Sequence, residues 1–437
     1  MKPRSVNLLW LLVVNLVYAC ALPFFLIMYV PQALFRKKYR HRFWERWGIG
    51  GNFLPGRKRL WIHAISVGEV EAARTFVPAL AAAFPDAGVV LSTTTMTGRE
   101  RATQLFPGRP VFYLPFDFAP CVLLALLRVK PSAIVQVEPE WWPNLFMLSA
   151  LLRRPIACVN VRLTEKGHRG YKRIPTLMAN VFNVTRVIGV QADVYGQRLI
   201  ELGADPGRVR VTGQMKHDGV VFADTAAGSA ELAREMKIDP REPVVVAAST
   251  APGEDEIVLA AYQEVLRRAA TVRLVIVPRR PENFDAAAAA ILKAGCGLVR
   301  RSKPGEIEGE PGQTIVMLGD SMGELMKWYG RANVVFVGRS LVPLGGSNPM
   351  EPGSIGKAIL WGPHMFNFPI EAAEFEKVGA ARQVADAPAL AAAILDLLAH
   401  PDRRRQMGSA AREAIRKMQG ATARNIIMVR EALAEDS

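Results

Sequence analysis

The chain has 437 residues, half of them apolar and 22% charged, which fits a folded chain of two or three domains and excludes the disordered and fibrous classes. Its net charge is +15, yet residues 1–60 hold eleven basic side chains against Glu45 alone. A basic excess gathered beside one segment speaks against a nucleic-acid partner and for a membrane surface carrying anionic lipids.

The first element is the apolar run of residues 6–30, set in a stretch without charge from Ser5 to Phe35. About 20 residues cross a hydrocarbon core, whereas a secretory signal has an apolar part of only about 7–15. The run is too long for a cleaved signal, and it continues ten residues past the Cys20 that a lipoprotein signal would use. Trp10, Tyr18 and Tyr29 suit an interface. The pattern predicts a single membrane anchor over residues 1–33, with a helix lying in or on the membrane as the second reading. Arg36, Lys37, Lys38, Arg40, Arg42 and Arg46 outweigh Lys2 and Arg4, with Arg57, Lys58 and Arg59 following. The positive-inside rule therefore puts the bulk of the chain in the cytoplasm. Cys20, Cys121, Cys158 and Cys296 form no pairing framework, and neither they nor the six histidines show metal-ligand spacing.

Beyond the anchor, short β-branched runs alternate with stretches of helical period, the pattern of a parallel sheet built from βαβ units. Strands are predicted at 60–66, 88–95, 110–116, 133–138, 155–161, 186–191 and 208–213. The pattern restarts at 244–250, 273–279, 297–302, 314–319, 334–340 and 358–363. This predicts two Rossmann-like, doubly wound α/β domains at 34–220 and 239–437, joined by a linker at 221–238. Ligands of such sheets bind beyond the carboxyl ends of the strands, so substrates would meet in the cleft between the domains.

Chemistry-bearing residues follow several of these strands. Ser66-Val67-Gly68-Glu69 reads either as a capping box or as a carboxylate placed for general base work. Thr97 to Glu100, Ser321 to Glu324 and Asn348 to Glu351 repeat the spacing. Glu138 and Glu140 precede Trp141 and Trp142, whose rings suit a sugar face, although solvated turn residues read equally well. Arg162, Lys166, Arg169 and Lys172 form either a solvated face or a cationic rim for an anionic acceptor. Lys216 follows the strand at 208–213 as a surface residue or a site cation. Pro278-Arg279-Arg280-Pro281 closes a strand with two cations, and Gly345-Gly346-Ser347-Asn348-Pro349 turns into a helix whose amino end suits phosphate.

Taken together, SVGE (66–69), VEPEWWPN (137–144), VTGQMK (211–216), VPRRPE (277–282), LGDSMGE (318–324) and FVGRSLVPLGGSNPMEP (336–352) resemble the transferases of 3-deoxy-manno-octulosonic acid (Kdo). The likeness runs in order along nearly the whole chain. It implies a GT-B glycosyltransferase at the inner membrane that moves Kdo from its CMP-activated form to lipid A precursor (lipid IVA) in lipopolysaccharide synthesis, with inversion and without a metal or other cofactor. By motif position it assigns Glu69 as general base, and Glu138 or Glu140 with Lys216 as transition-state partners. Pro278, Arg279, Met322, Gly323, Glu324, Asn348, Pro349, Met350 and Glu351 would form the CMP site. Three positions depart from the family pattern: Ser347 stands for His, Arg339 for Gly and Gln214 for Asn. A GT-B transferase or sugar-nucleotide enzyme with another donor is the nearest alternative reading. A non-catalytic binder of anionic lipid is the more distant one.

Overall fold

The computed structural model describes residues 6–35, 42–50, 58–268 and 271–434. Lys2, Arg4, Arg36, Lys37, Lys38, Arg40 and Arg57 of the expected basic cluster lie outside them. The chain divides into two units, one of residues 1–219 with 418–437 and one of residues 220–417.

The first unit holds seven strands: β1 (Lys58–Ala64), β2 (Ala87–Thr93), β3 (Val111–Tyr113), β4 (Ala133–Val137), β5 (Ile156–Val161), β6 (Val187–Val190) and β7 (Val209–Val211). They are ordered β3-β2-β1-β4-β5-β6-β7 and every pair is parallel. Central β1 sets Ile62 against Leu91 on one side and Val135 on the other. The strand order reverses between β1 and β4.

The second unit holds eight strands: β8 (Val244–Thr250), β9 (Arg273–Pro278), β10 (Gly297–Arg300), β11 (Ile307–Glu308), β12 (Ile315–Leu318), β13 (Val334–Val337), β14 (Ala358–Trp361) and β15 (Ala381–Gln383). Their order is β11-β10-β12-β9-β8-β13-β14-β15, and only the two-residue β11 runs antiparallel. Here the reversal falls between β8 and β13.

Two boundaries differ from the expectation. The final helix Ala421–Ala434 belongs to the first unit, not to a domain ending at 437. Its Ala421, Met428 and Val429 sit in the core behind β1, β4 and β5. The Asp218 carboxylate accepts from the backbone N–H groups of Gly420 and Thr422 at 2.6 and 2.5 Å, fixing the amino end of that helix from 200 residues away in sequence. Part of the expected linker is ordered as well: helix Ser229–Glu235 buries Leu232 and Ala233 in the second unit.

The apolar run forms one helix, Leu8–Phe35, through Pro23 and Pro31. One stripe of it lies along the first unit. Asn7 N–H donates to Asn180 Oδ1 at 3.4 Å, and the Asn15 and Asn144 side-chain amides pair at 2.7 and 3.2 Å. Tyr18 donates to Asp117 at 3.4 Å, and Phe25 and Tyr29 pack edge-on against Phe116. The opposite face leaves Leu8, Leu12, Leu16, Phe24 and Ile27 exposed.

Candidate functional site

In each unit the residues of interest stand where the strand order reverses, the place where parallel sheets leave a crevice beyond their carboxyl ends.

In the first unit, β1 delivers Glu69 and β4 delivers Glu138. Glu69 caps its short helix Val67–Ala72: its Oε2 accepts from Ser66 N–H at 2.9 Å and from the Ser66 hydroxyl. Oε1 takes no hydrogen bond among the described residues. The two readings of Glu69 are therefore compatible, with one oxygen engaged in the cap and the other unengaged. Glu138 sits in the left-handed backbone region at φ 49°. Its Oε1 accepts from Asn160 Nδ2 at 2.6 Å and Gln191 Nε2 at 3.3 Å. Burial raises its pKa, the Glu69 charge raises it further, and Lys216, Arg162 and the Asn160 hydrogen bond oppose the rise. Glu138 is thus within electrostatic reach of Glu69, Lys216 and Arg162. Glu140 is more open to solvent; partial desolvation and then the Glu69 charge push its carboxyl up. Burial and then the Glu140 charge raise Tyr171 in turn.

Of the expected cationic rim, Arg162 joins this group. Lys166, Arg169 and Lys172 lie on the exposed surface beyond it. Arg169 faces Glu165 at 3.8 Å and Lys172 faces Glu201 at 3.7 Å, distances at which exposed pairs contribute little.

Asn160 and Gln191 escaped the sequence reading. Asn160, in the left-handed region at φ 57°, donates to Glu138 and accepts from Met215 N–H at 2.9 Å. It joins the Glu138 turn to the segment carrying Lys216. The available signal was a fully polar side chain at the end of a buried strand.

In the second unit, Arg279 follows β9, and its charge lowers the pKa of Glu351, which burial raises and the Asn348 side chain also lowers. Asn348 Nδ2 donates to Glu351 at 3.3 Å while its Oδ1 accepts from Met350 N–H at 3.0 Å. Helix Met350–Ser354 has Pro349 as its N-cap, so it begins one residue later than Pro349 at its first position would require, with the Asn348 side chain turning the chain just before it. Gly346 has φ 76°, and a Cβ there would lie 2.3 Å from Met365 Sδ; only glycine closes this turn. Ser347 is buried, and its hydroxyl has no partner among the described residues.

Glu324 differs. Arg301 grips both its oxygens at 2.8 and 3.2 Å, and Lys327 and Ser321 add contacts at 2.8 and 2.6 Å. The Arg301 hydrogen bond comes first among the causes that hold its carboxyl at about 2. No described contact joins it to Arg279 or Glu351. Met322 and Gly323 are exposed in the same turn. The repeated capping spacing also fails at Thr97 and Glu100, because Thr95 is the N-cap, accepting from Gly98 N–H at 3.0 Å.

Glu254 was not anticipated. Fully buried, its carboxylate accepts from three successive backbone N–H groups, those of Arg339, Ser340 and Leu341, at 2.5, 2.9 and 2.9 Å. It follows β8 and braces the loop after β13, holding Arg339 at φ 62°, a conformation that favours glycine. Burial raises its pKa against those hydrogen bonds. Among the described residues no group of three or more His, Cys, Asp or Glu is placed to share a cation.

A family profile described as 3-Deoxy-D-manno-octulosonic-acid transferase (kdotransferase) matches residues 41–219. The chain is 34% identical over 400 residues to the 3-deoxy-D-manno-octulosonic acid transferase of Haemophilus influenzae, covering 91% of this chain and 92% of that protein. It is 36% identical over 380 residues to the Bordetella pertussis protein of the same name, covering 84% and 86%. Among solved structures it superposes on MurG of Acinetobacter baumannii with a TM-score of 0.51 at 14% identity, covering 86% and 99%. A glycosyltransferase from Rickettsia africae gives 0.56 at 10%, covering 87% and 99%. These two likenesses establish the two-sheet GT-B fold. The identity to the named transferases, sustained over most of both chains, places this chain in the 3-deoxy-D-manno-octulosonic acid transferase family.

Proposed function

We propose that the protein transfers Kdo from CMP-Kdo to a hydroxyl of lipid A precursor, with inversion at the anomeric carbon and without a metal. The observation that carries this reading is that Glu69 and Glu138 follow the two strands between which the order reverses, while Asn160 ties Glu138 to the backbone just before Lys216.

In the reaction Glu69 takes the proton of the acceptor hydroxyl through its unengaged oxygen as that hydroxyl attacks the sugar. The donor already carries its leaving group, so the remaining task is electrostatic. Lys216 and Arg162 offset the charge on Glu138 and on the anionic substrates. Glu140 shapes the acceptor side, the Trp141 ring expected beside it being buried against Phe146 and Phe182, and Lys166, Arg169 and Lys172 form an outer cationic surface. In the second unit Arg279, with Pro278, faces the departing phosphate, and Asn348, Pro349, Met350 and Glu351 hold the nucleotide. Met322, Gly323 and Glu324 contribute backbone and shape, since the Glu324 carboxylate is already engaged.

The protein attaches to the cytoplasmic face of the inner membrane through helix Leu8–Phe35. Contacts from Asn7 to Tyr29 occupy about 33 Å of helix, as long as the hydrocarbon core is thick, about 30 Å. A perpendicular crossing would carry the first unit's surface into the bilayer. The contacts favour a helix lying in the membrane plane with Leu8, Leu12, Leu16, Phe24 and Ile27 turned to lipid.

The test is incubation of the purified full chain with lipid A precursor and a panel of activated sugars, followed by mass spectrometry of the lipid. A Kdo adduct from CMP-Kdo alone supports the reading. An adduct only from another activated sugar replaces it with a different transferase.

A further inference from the structure

Between helix Leu8–Phe35 and the first unit lies a cavity of about 280 Å³, lined by Tyr18, Ala21, Leu22 and Phe25 of the helix and by Trp47, Phe116, Asp117, Phe118 and Trp142 of the unit. Its volume is at the small end for organic ligands, the size of a narrow guest. Among the described residues Asp117 is the only charged one in the lining, and its carboxylate is already engaged. Asn144 and Leu145 N–H donate to it at 3.1 and 2.9 Å and Tyr18 at 3.4 Å. The cavity therefore offers a guest no free charge. Its lining is otherwise apolar and aromatic, the rings of Phe25, Trp47, Phe116, Phe118 and Trp142.

Two connections indicate what occupies it. The helix that forms one wall turns its other face outward as an exposed apolar surface, with Leu12, Leu16, Phe24 and Ile27 each more than 60% exposed. One helix thus carries both the outward apolar surface and a wall of the cavity. On the opposite wall, Trp142 N–H donates to Glu140 O at 2.9 Å, so the turn carrying Glu138 and Glu140 ends at the cavity.

We propose that this cavity takes an acyl chain of the acceptor lipid, its hydrocarbon between Phe25, Phe116 and Phe118. Seating a chain there sets the sugar head at the Glu69 and Glu138 turns. Helix Leu8–Phe35 is then part of the acceptor site as well as a membrane attachment. The inference rests on the reading of the acceptor as an acylated glycolipid.

Ala21→Trp places bulk in the cavity from a small lining residue outside the catalytic group. With the full chain in detergent micelles, KM for the acylated acceptor should rise at least tenfold. KM for CMP-Kdo, and turnover of the chemically deacylated acceptor, should match the unsubstituted protein. An unchanged KM for the acylated acceptor overturns the proposal. Independently of turnover, an acceptor carrying a diazirine in its acyl chain should label the 21–25, 116–118 or 142 peptides, and unlabelled acceptor should compete. Labelling elsewhere overturns it. So does equal labelling by a diazirine phospholipid that acceptor does not displace, which would make the cavity a bulk-lipid site. Absence of Kdo transfer by the unsubstituted chain would instead defeat the transferase reading, while the labelling pattern would still decide the cavity.

Discussion

Asn160 donates to Glu138 at 2.6 Å and accepts from Met215 N–H at 2.9 Å, so one side chain sets both the carboxylate after β4 and the backbone just before Lys216. Substitution by Asp keeps the left-handed backbone and the acceptor but replaces the donor with a charge facing Glu138 Oε1. Asn160→Asp should therefore raise the Glu138 titration further and lower transfer by about tenfold or more, the cost of losing a hydrogen bond to a charged group being about 1.5–3 kcal/mol. The measurement is the pH–rate profile, in which the limb due to Glu138 should move to higher pH. An unmoved profile would make Asn160 a loop brace only.

Asp117 gives a second pH dependence. Burial pushes its carboxyl up to about 7 from 3.8, against hydrogen bonds from Asn144 and Leu145. A folded-state value above the unfolded one contributes stability that is full below about 4 and lost as pH rises through about 7. Thermal melts of the full chain from pH 4 to 8 should show this decline, and Asp117→Asn should flatten it.

The attachment helix bears on topology. A reporter fused at the amino terminus should stay on the same side of the membrane as one at the carboxyl terminus if the helix lies in plane. Reporters on opposite sides would mean that the helix crosses.

In the second unit, Glu254→Gln leaves one carbonyl oxygen for three N–H groups and turns an amide toward a donor. The expected effects are a destabilisation of about 1–3 kcal/mol and CMP affinity reduced by about tenfold in calorimetry, because the Arg339–Leu341 loop leads into the Asn348 turn. Arg279→Ala should weaken CMP binding by one to two decades, the worth of a charge-assisted contact. Wild-type affinity in both variants would remove this loop from the donor site.

The strands were legible because each is an apolar run bounded by turn residues, and each of the thirteen expected has its strand. β11 and β15 were not, having two and three residues and no apolar run. The sequence carried no information on which sheet would receive helix Ala421–Ala434; Asp218 and the core around Met428 decide that through tertiary contact. Capping spacing was a weaker guide. Thr95, two residues earlier, took the N-cap that Thr97 was expected to hold, and Arg301 captured Glu324 from outside the motif. Glu254 gave no local signal because its three donors come from more than 80 residues away.

In the proposed reaction Glu69 removes the acceptor proton, and its half-engaged carboxylate allows a direct test. Gln can serve a capping box but cannot take a proton. Glu69→Gln should keep its melting temperature within a few degrees, as loss of one charge near a helix end costs about 0.3–1 kcal/mol. Single-turnover transfer of Kdo to the lipid acceptor should fall by about 10²-fold or more, with Glu100→Gln, an exposed residue within helix Met96–Leu105, near wild type in both assays. A Glu69→Gln variant that retains most of its single-turnover rate would contradict the account and move the base to Glu138 or Glu140.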